Sequence, residues 1–400
     1  MKNTLEKTYN YIGFLICLSI PYMTHAKAFV NICMICMFLI LIVLFDKQKF
    51  LERVNNKILK SFSVFLLFVI LFTIFNYSFF LDFSETRKIA QTVLLIILFS
   101  FVNEKCFLIY GFVFGVFISS LITNINIIND CSELICKSKL DDLFLTQRLY
   151  LGFFIVISMV LLLFLIQKAN SNKQKVFYGL IIIFFVYTLF LINSRSALII
   201  TFLVFSSTII YHLKLLHSLL LIVGFGLIFF TIIFTNKNLS NRFLYSQDSV
   251  RSYYFDKVKK HEPRYDIWKF SSQIFQEEKP YFFGIGTFKT QQLLVAKFQS
   301  MPIEKRKNWF IERNFNTHNQ YIDIGLSYGL IGFILFLVFL KESVLVFYKN
   351  IHSLNLATSL ILFLVIENIF HRQLGSFIFA LTLVLALFII NQKNEKNINC

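Results

Sequence analysis

Ser61-Phe62-Ser63-Val64-Phe65-Leu66-Leu67-Phe68-Val69-Ile70-Leu71-Phe72-Thr73-Ile74-Phe75 carries no charge and no period-two alternation, so it reads as a helix that is apolar on every side. Such a helix belongs to a large protein core or to a bilayer, and the rest of the chain decides between the two. Of 400 residues, 57% are hydrophobic, 15% are charged and 52 are Phe. Mean hydropathy is +0.68. A soluble domain of this length cannot hide that much apolar surface in one core, so the chain is expected to be an all-α polytopic membrane protein.

Similar runs lie near 11–24, 27–45, 61–80, 88–103, 105–123, 148–167, 177–193, 195–211, 214–234, 319–340, 353–370 and 374–391. They predict about twelve transmembrane helices. Several fall short of the roughly 20 residues needed at about 1.5 Å rise each, so their ends must borrow polar neighbours. The pair flanking Glu104 is the least sharply divided. Pro21 in the first run, followed closely by a second, argues against a cleaved leader.

The net charge of +17 is spread between apolar runs rather than along one soluble face, which sets aside a nucleic-acid reading. Lys47, Lys49, Arg53, Lys57 and Lys60 fill one short link, and Lys168, Lys173 and Lys175 another. Both follow even-numbered spans, so those links and both termini are expected on the cytoplasmic side. Three regions result: spans one to nine (1–235), an outward polar loop with amphipathic helices (236–318), and spans ten to twelve with a tail (319–400). The loop's 15 Lys or Arg against 8 Asp or Glu do not conflict with this, because long loops translocate largely regardless of charge. The same basic surface can hold phosphate or simply keep the loop soluble. Of the seven Cys, Cys131 and Cys136 share one outward loop where a local disulfide can form.

Within the loop, Ile267, Trp268, Phe270 and Ile274 have helical spacing after Pro263, and Pro280 ends the pattern. Tyr281-Phe282-Phe283-Gly284-Ile285-Gly286 reads as a flexible turn whose glycines admit close backbone approach. Three residues combine fixed or titratable charge with an outer-border position. Arg195, in Asn193-Ser194-Arg195-Ser196, can grip phosphate with a planar donor fork, or snorkel to the interface. Arg264 can add a second cation, or be an ordinary loop arginine. His318, where the loop re-enters the membrane, can accept a proton from a hydroxyl near neutral pH, or be a structural border histidine. Arg242 and Arg251 are reserve cations. Glu367, His371, Arg372 and Gln373 adjoin another outer border and can shape a cavity or cap spans. No Walker loop, dinucleotide fingerprint or paired zinc-ligand spacing accompanies them, and the acidic pairs Asp141-Asp142 and Glu277-Glu278 do not share a helix face.

Asn193-Ser194-Arg195-Ser196-Ala197, the Arg264 to Trp268 segment followed by Gly284-Ile285-Gly286, and His318-Asn319-Gln320-Tyr321 leading to Tyr328-Gly329-Leu330-Ile331-Gly332 resemble the O-antigen ligase and polymerase family in order and separation. The resemblance is strongest over residues 190–340. It implies a GT-C-like membrane glycosyltransferase of the bacterial inner membrane, with its site on the periplasmic side. A glycan would pass from undecaprenyl diphosphate to a terminal sugar hydroxyl of lipid A-core, with inversion and without metal or other cofactor. His318 would activate the acceptor, with Arg195 and Arg264 on the diphosphate. Arg195, Arg264, Asn319, Tyr321, Arg242 and Arg372 are the expected substrate contacts, in a monomer that binds membrane lipids and no nucleic acid. The same chemistry on two carrier-linked glycans would make a polymerase, and a membrane transporter is the remaining class.

Overall fold

The Ser61 run lies within α4 (Lys57–Phe75), one of eight helices long and apolar enough to cross a membrane. The others are α6 (Lys105–Asp130), α7 (Arg148–Lys168), α8 (Asn172–Leu191), α9 (Arg195–His212), α10 (Leu215–Thr235), α16 (Gln320–Phe347) and α18 (Gln373–Asn391). α2 (Lys27–Val43) and α17 (Ile351–Ile366) are apolar but shorter, while α1 (Lys2–Ser19) and α5 (Phe79–Phe101) carry charged ends. The twelve-span reading adds these four to the eight. This computed structural model describes residues 2–76, 79–132, 135–136, 143–244 and 253–392. The side chains of residues 79, 131–132, 135–136, 237–239 and 242 fall outside that description.

Each predicted run has its own helix, and Glu104 does separate two of them, α5 and α6. The main differences are at the ends. α5 begins nine residues before the predicted 88, and its first turns carry Asp82, Glu85, Arg87 and Lys88. α16 continues to Phe347, past the predicted 340. The described residues otherwise include one two-stranded antiparallel pair, β1 (Cys131–Ser132) and β2 (Ile135–Cys136), in which Cys131 faces Cys136 across the register. The side chains that a disulfide would need are outside the described set.

The core lies along α7 and α18, the two most enclosed of the eight long helices. Phe153 of α7 stacks on Phe363 of α17 with ring centroids 4.0 Å apart, and Phe62 of α4 meets Phe339 of α16 and Phe379 of α18. The stretch between α10 and α16 holds α11 (Lys237–Leu244), α12 (Tyr254–His261), α13 (Pro263–Glu278), α14 (Thr287–Gln299) and α15 (Glu304–Arg313), and a second, smaller cluster forms where α13, α14 and α15 pack together against α16. Ile267, Ile274, Leu294, Phe298 and Phe310 are fully buried there, so the helical spacing read from Pro263 onward marks a real packing face.

Gly329 interrupts α16 with φ 68° and ψ −167°, conformations open to glycine alone. A break in an apolar helix frees backbone groups that lipid cannot satisfy. Here the 281–286 turn satisfies them. Ile285 and Gly286 donate to the carbonyls of Leu326 and Ser327 at 3.0 Å, and Leu330 and Ile331 donate back to those of Tyr281 and Phe282 at 2.9 and 3.3 Å. The glycines allow the approach as expected, since a Cβ on Gly284 would lie 2.1 Å from Ser327 backbone. The turn is held at both ends by backbone bonds, which corrects its reading as flexible. Asp82, 1% exposed, completes the seam by accepting from Thr287 Oγ1 at 2.8 Å and Phe288 N at 2.7 Å, capping α14 where Gly286 has no side chain to do so.

Candidate active site

Arg195 owes its position to two local devices. Asn193 takes the left-handed conformation, φ 52°, that ends α8 and turns the chain into α9. Gly152 of α7 then lets the turn sit close, because a Cβ there would lie 2.6 Å from Ser194 Oγ. From the first turn of α9, Arg195 Nη2 donates to Glu262 Oε1. Glu262 precedes Pro263 at the start of α13, so this ion pair fixes the end of α13 that carries Arg264.

Arg264 reaches the opposite wall. Its Nη2 donates to the Ile366 carbonyl at 3.2 Å, where a cation suits the negative end of α17. Burial pulls its pKa below the usual guanidinium range, while Glu367 and Glu262 oppose that pull. Its Nε is buried and has no hydrogen-bond partner among the described residues. Arg195, Arg264 and Arg148 line one cavity of about 440 Å³ together with Glu262, Asn193 and Tyr254.

His318 sits at φ 44°, a left-handed value that is uncommon for a residue with Cβ. Its surroundings fix it there. Its N–H donates to Asn316 Oδ1 at 3.0 Å, and the next residue, Asn319, caps α16 by accepting from the N–H groups of Tyr321 and Ile322 at 3.0 and 3.1 Å. Nδ1 of His318 lies 3.1 Å from Oε2 of Glu367, which is 2% exposed. An imidazole that donates from Nδ1 to the carboxylate leaves Nε2 with a lone pair that can accept a hydrogen bond. Arg372 Nε approaches the other carboxylate oxygen at 3.5 Å, with its guanidinium 5.8 Å from the Tyr150 ring centroid. Glu367 therefore joins His318 to Arg372 and stands beside Arg264.

A second polar group braces this one. Thr317 receives Asn368 Nδ2 on its hydroxyl at 2.7 Å and Trp268 Nε1 on its carbonyl at 3.1 Å, linking α13 to the α17–α18 connection. Asp323 of α16 binds His371 Nε2 at 2.9 Å, and Glu85 lies 3.8 Å from Nδ1. Burial disfavours the His371 cation, but Asp323 and Glu85 outweigh it and lift the pKa to about 9. A raised histidine contributes stability that is complete below the unfolded value of about 6.5 and is lost as pH climbs through the folded value. Thermal unfolding in detergent should thus show a midpoint that falls between about pH 6.5 and 9 and levels off above, and Asp323→Asn should flatten that fall. An unchanged slope in the variant would remove this role from the pair.

The structure gathers Arg195 with Arg264 around one cavity, and His318, Arg264 and Arg372 around Glu367. Tyr321 donates its hydroxyl to the Ile361 carbonyl at 3.1 Å and lines a separate, largely apolar cavity of about 610 Å³ beneath α13. Asn319 spends its amide oxygen on the α16 cap, and the Arg242 side chain lies outside the described residues. Glu262 and Arg148 were not legible as site residues in the sequence, and Glu367 was legible only as a border acid. The available signal for Glu367 was a single carboxylate closing an apolar helix, four residues ahead of His371. Residues 180–337 match the family model described as O-Antigen ligase, which supports assignment of the chain to that family, although the match covers less than half of it. No curated protein matches the chain.

Proposed function

We propose that this chain, assigned to the O-antigen ligase family, transfers a glycan from undecaprenyl diphosphate to a terminal sugar hydroxyl of lipid A-core. Its setting would be the bacterial inner membrane, with about twelve spans and residues 236–318 on the periplasmic side. The observation that carries the reading is His318 backed by buried Glu367, with Arg264 beside the same carboxylate and Arg195 across the adjoining cavity.

The chemistry follows from those positions. His318 Nε2 takes the acceptor hydroxyl proton as the oxygen attacks the anomeric carbon. The new C–O bond forms while the bond from that carbon to the phosphate oxygen breaks, and undecaprenyl diphosphate leaves with the electron pair. Attack from the face opposite the leaving group inverts the anomeric centre. Arg195 and Arg264 offset charge that grows on the diphosphate, and Glu367 stabilises the imidazolium formed on His318. The diphosphate must share Arg195 with Glu262 or displace it. Arg264 Nε, which has no hydrogen-bond partner among the described residues, would donate to the phosphate.

Arg195→Lys should lower turnover about tenfold or more, because an ammonium point charge cannot reproduce the two-pronged contact. Steady-state rates at varied donor concentration would check this, and wild-type donor use by the variant would count against Arg195 as a donor residue. The activity itself is tested by incubating purified protein with carrier-linked glycan, with and without lipid A-core. Glycan on lipid A-core supports the ligase. Lengthened glycan on the carrier alone would identify a polymerase, and no product with either mixture would reject transfer.

A further inference from the structure

A third cavity lies on the other side of Arg372. It measures about 970 Å³ and is walled by α2, α5, the residues just before α7, and the α17–α18 connection. Its lining divides by chemistry. Met34 and Ile35 of α2 and Leu94 of α5 form an apolar wall, and Ile35 is 54% exposed on the bundle surface. Lys27, Arg87, Lys88 and Arg372 supply four cations, and no carboxylate is among the lining residues. Lys88 is paired with Glu85 at 2.7 Å, but Lys27 and Arg87 are exposed and form no ion pair among the described residues.

This cleft is continuous in lining with the site already described. It shares Thr24, Thr146 and Gln147 with a middle cavity of about 400 Å³, which also holds Arg313. The middle cavity in turn shares Arg148 and Leu149 with the one containing Arg195 and Arg264. Arg372, which lines the cleft, is also the residue 3.5 Å from Glu367, the partner of His318. Cavity walls bearing Arg195, Arg264, Arg148, Arg313 and Arg372 thus join through shared residues, and Arg372 connects the α2–α5 cleft to Glu367 and His318.

We propose that the α2–α5 cleft binds a second membrane amphiphile, whose anionic phosphate headgroup rests on Lys27, Arg87 and Arg372 and whose alkyl chains lie along Met34, Ile35 and Leu94. The amphiphile enters from the bilayer and carries the accepting hydroxyl toward His318. The assignment of its cargo as acceptor rests on the transfer reading; the phosphate-lipid site itself does not. Charge complementarity selects an anionic head, and a volume in the range of ordinary ligand sites suits a headgroup with the upper part of its chains. Carriers of either acyl or polyprenyl type share this chemistry.

Binding of lipid A and of undecaprenyl diphosphate to the purified full-length protein, read by native mass spectrometry, tests the site. Lys27→Gln with Arg87→Gln should weaken lipid A binding about tenfold, from two surface cations removed, and leave undecaprenyl diphosphate unaffected. Arg195→Lys should do the reverse. Loss of a second equivalent of undecaprenyl diphosphate in the double variant, with lipid A unchanged, would also support the cleft and give it a polyprenyl occupant. Equal binding of both probes by the double variant and wild type, or equal weakening of both, would overturn the proposal. The charge-keeping pair Lys27→Arg and Arg87→Lys should restore binding if the effect is electrostatic. Lipid A held in this cleft by a protein that forms no product would retain the site and discard the transfer reading.

Discussion

His318→Ala should reduce glycan transfer by about 10²- to 10⁴-fold, the usual contribution of a positioned general base, while the protein inserts and purifies as wild type does. The substitution removes the Nε2 acceptor without touching an apolar span. It also leaves Glu367, 2% exposed, facing Arg372 and Arg264, so the buried carboxylate keeps compensating charge. Glu367→Gln separates positioning from proton transfer. The imidazole survives, but an amide can hold either tautomer and cannot stabilise the imidazolium. Its turnover should therefore fall less than that of His318→Ala, with the pH–rate profile displaced. Product formation is measured on monodisperse protein for each variant. Full activity in a correctly folded His318→Ala protein would falsify the assignment of the base.

The second large effect is on folding. Gly329→Val should sharply lower the yield of monodisperse protein, at a cost of about 4 kcal/mol or more, the range reached by the most disruptive single substitutions. Two causes add. The residue would have to hold φ 68° with a branched side chain, and its Cβ would lie 2.6 Å from the Phe282 carbonyl oxygen and from the Phe283 carbonyl carbon. The four backbone bonds between the 281–286 turn and α16 could not all survive. Gly325→Ala is the matched control, since nothing lies within 4 Å of a Cβ at that position. A helical glycine replaced by alanine without contact is neutral or mildly stabilising. Size-exclusion profiles and detergent melting curves compare the two, and equal behaviour would show that the break at Gly329 is dispensable.

The helices were legible because continuous apolar runs and charged links are local signals. The α5–α6 boundary was the hardest of them, and Glu104 does mark it. What was not legible is the reach of α5, whose first turns carry Asp82, Glu85, Arg87 and Lys88 and so read as a polar link. Asp82, Glu85 and Lys88 meet partners far along the chain. Asp82 caps α14, and Lys88 donates to the His371 carbonyl at 2.8 Å. The site divides in the same way. Arg195, Arg264 and His318 could be singled out by charge type and border position. Their pairing with the carboxylates that hold them could not be read, because Glu262 is 67 residues from Arg195 and Glu367 is 49 from His318, and one sequence contains no pairing information at those separations. Asn319 shows the converse: a polar residue beside His318 whose amide oxygen is already committed to capping the start of α16.

The hydrogen bonds on either side of Gly329 fasten the aromatic turn to both pieces of the broken helix, like a hasp closed over a hinge. The short outer piece begins two residues after His318. Any swing of that piece about Gly329 would therefore carry the support of the His318 imidazole along with it. A change at the break in α16 and a change in the setting of His318 would then be a single mechanical event.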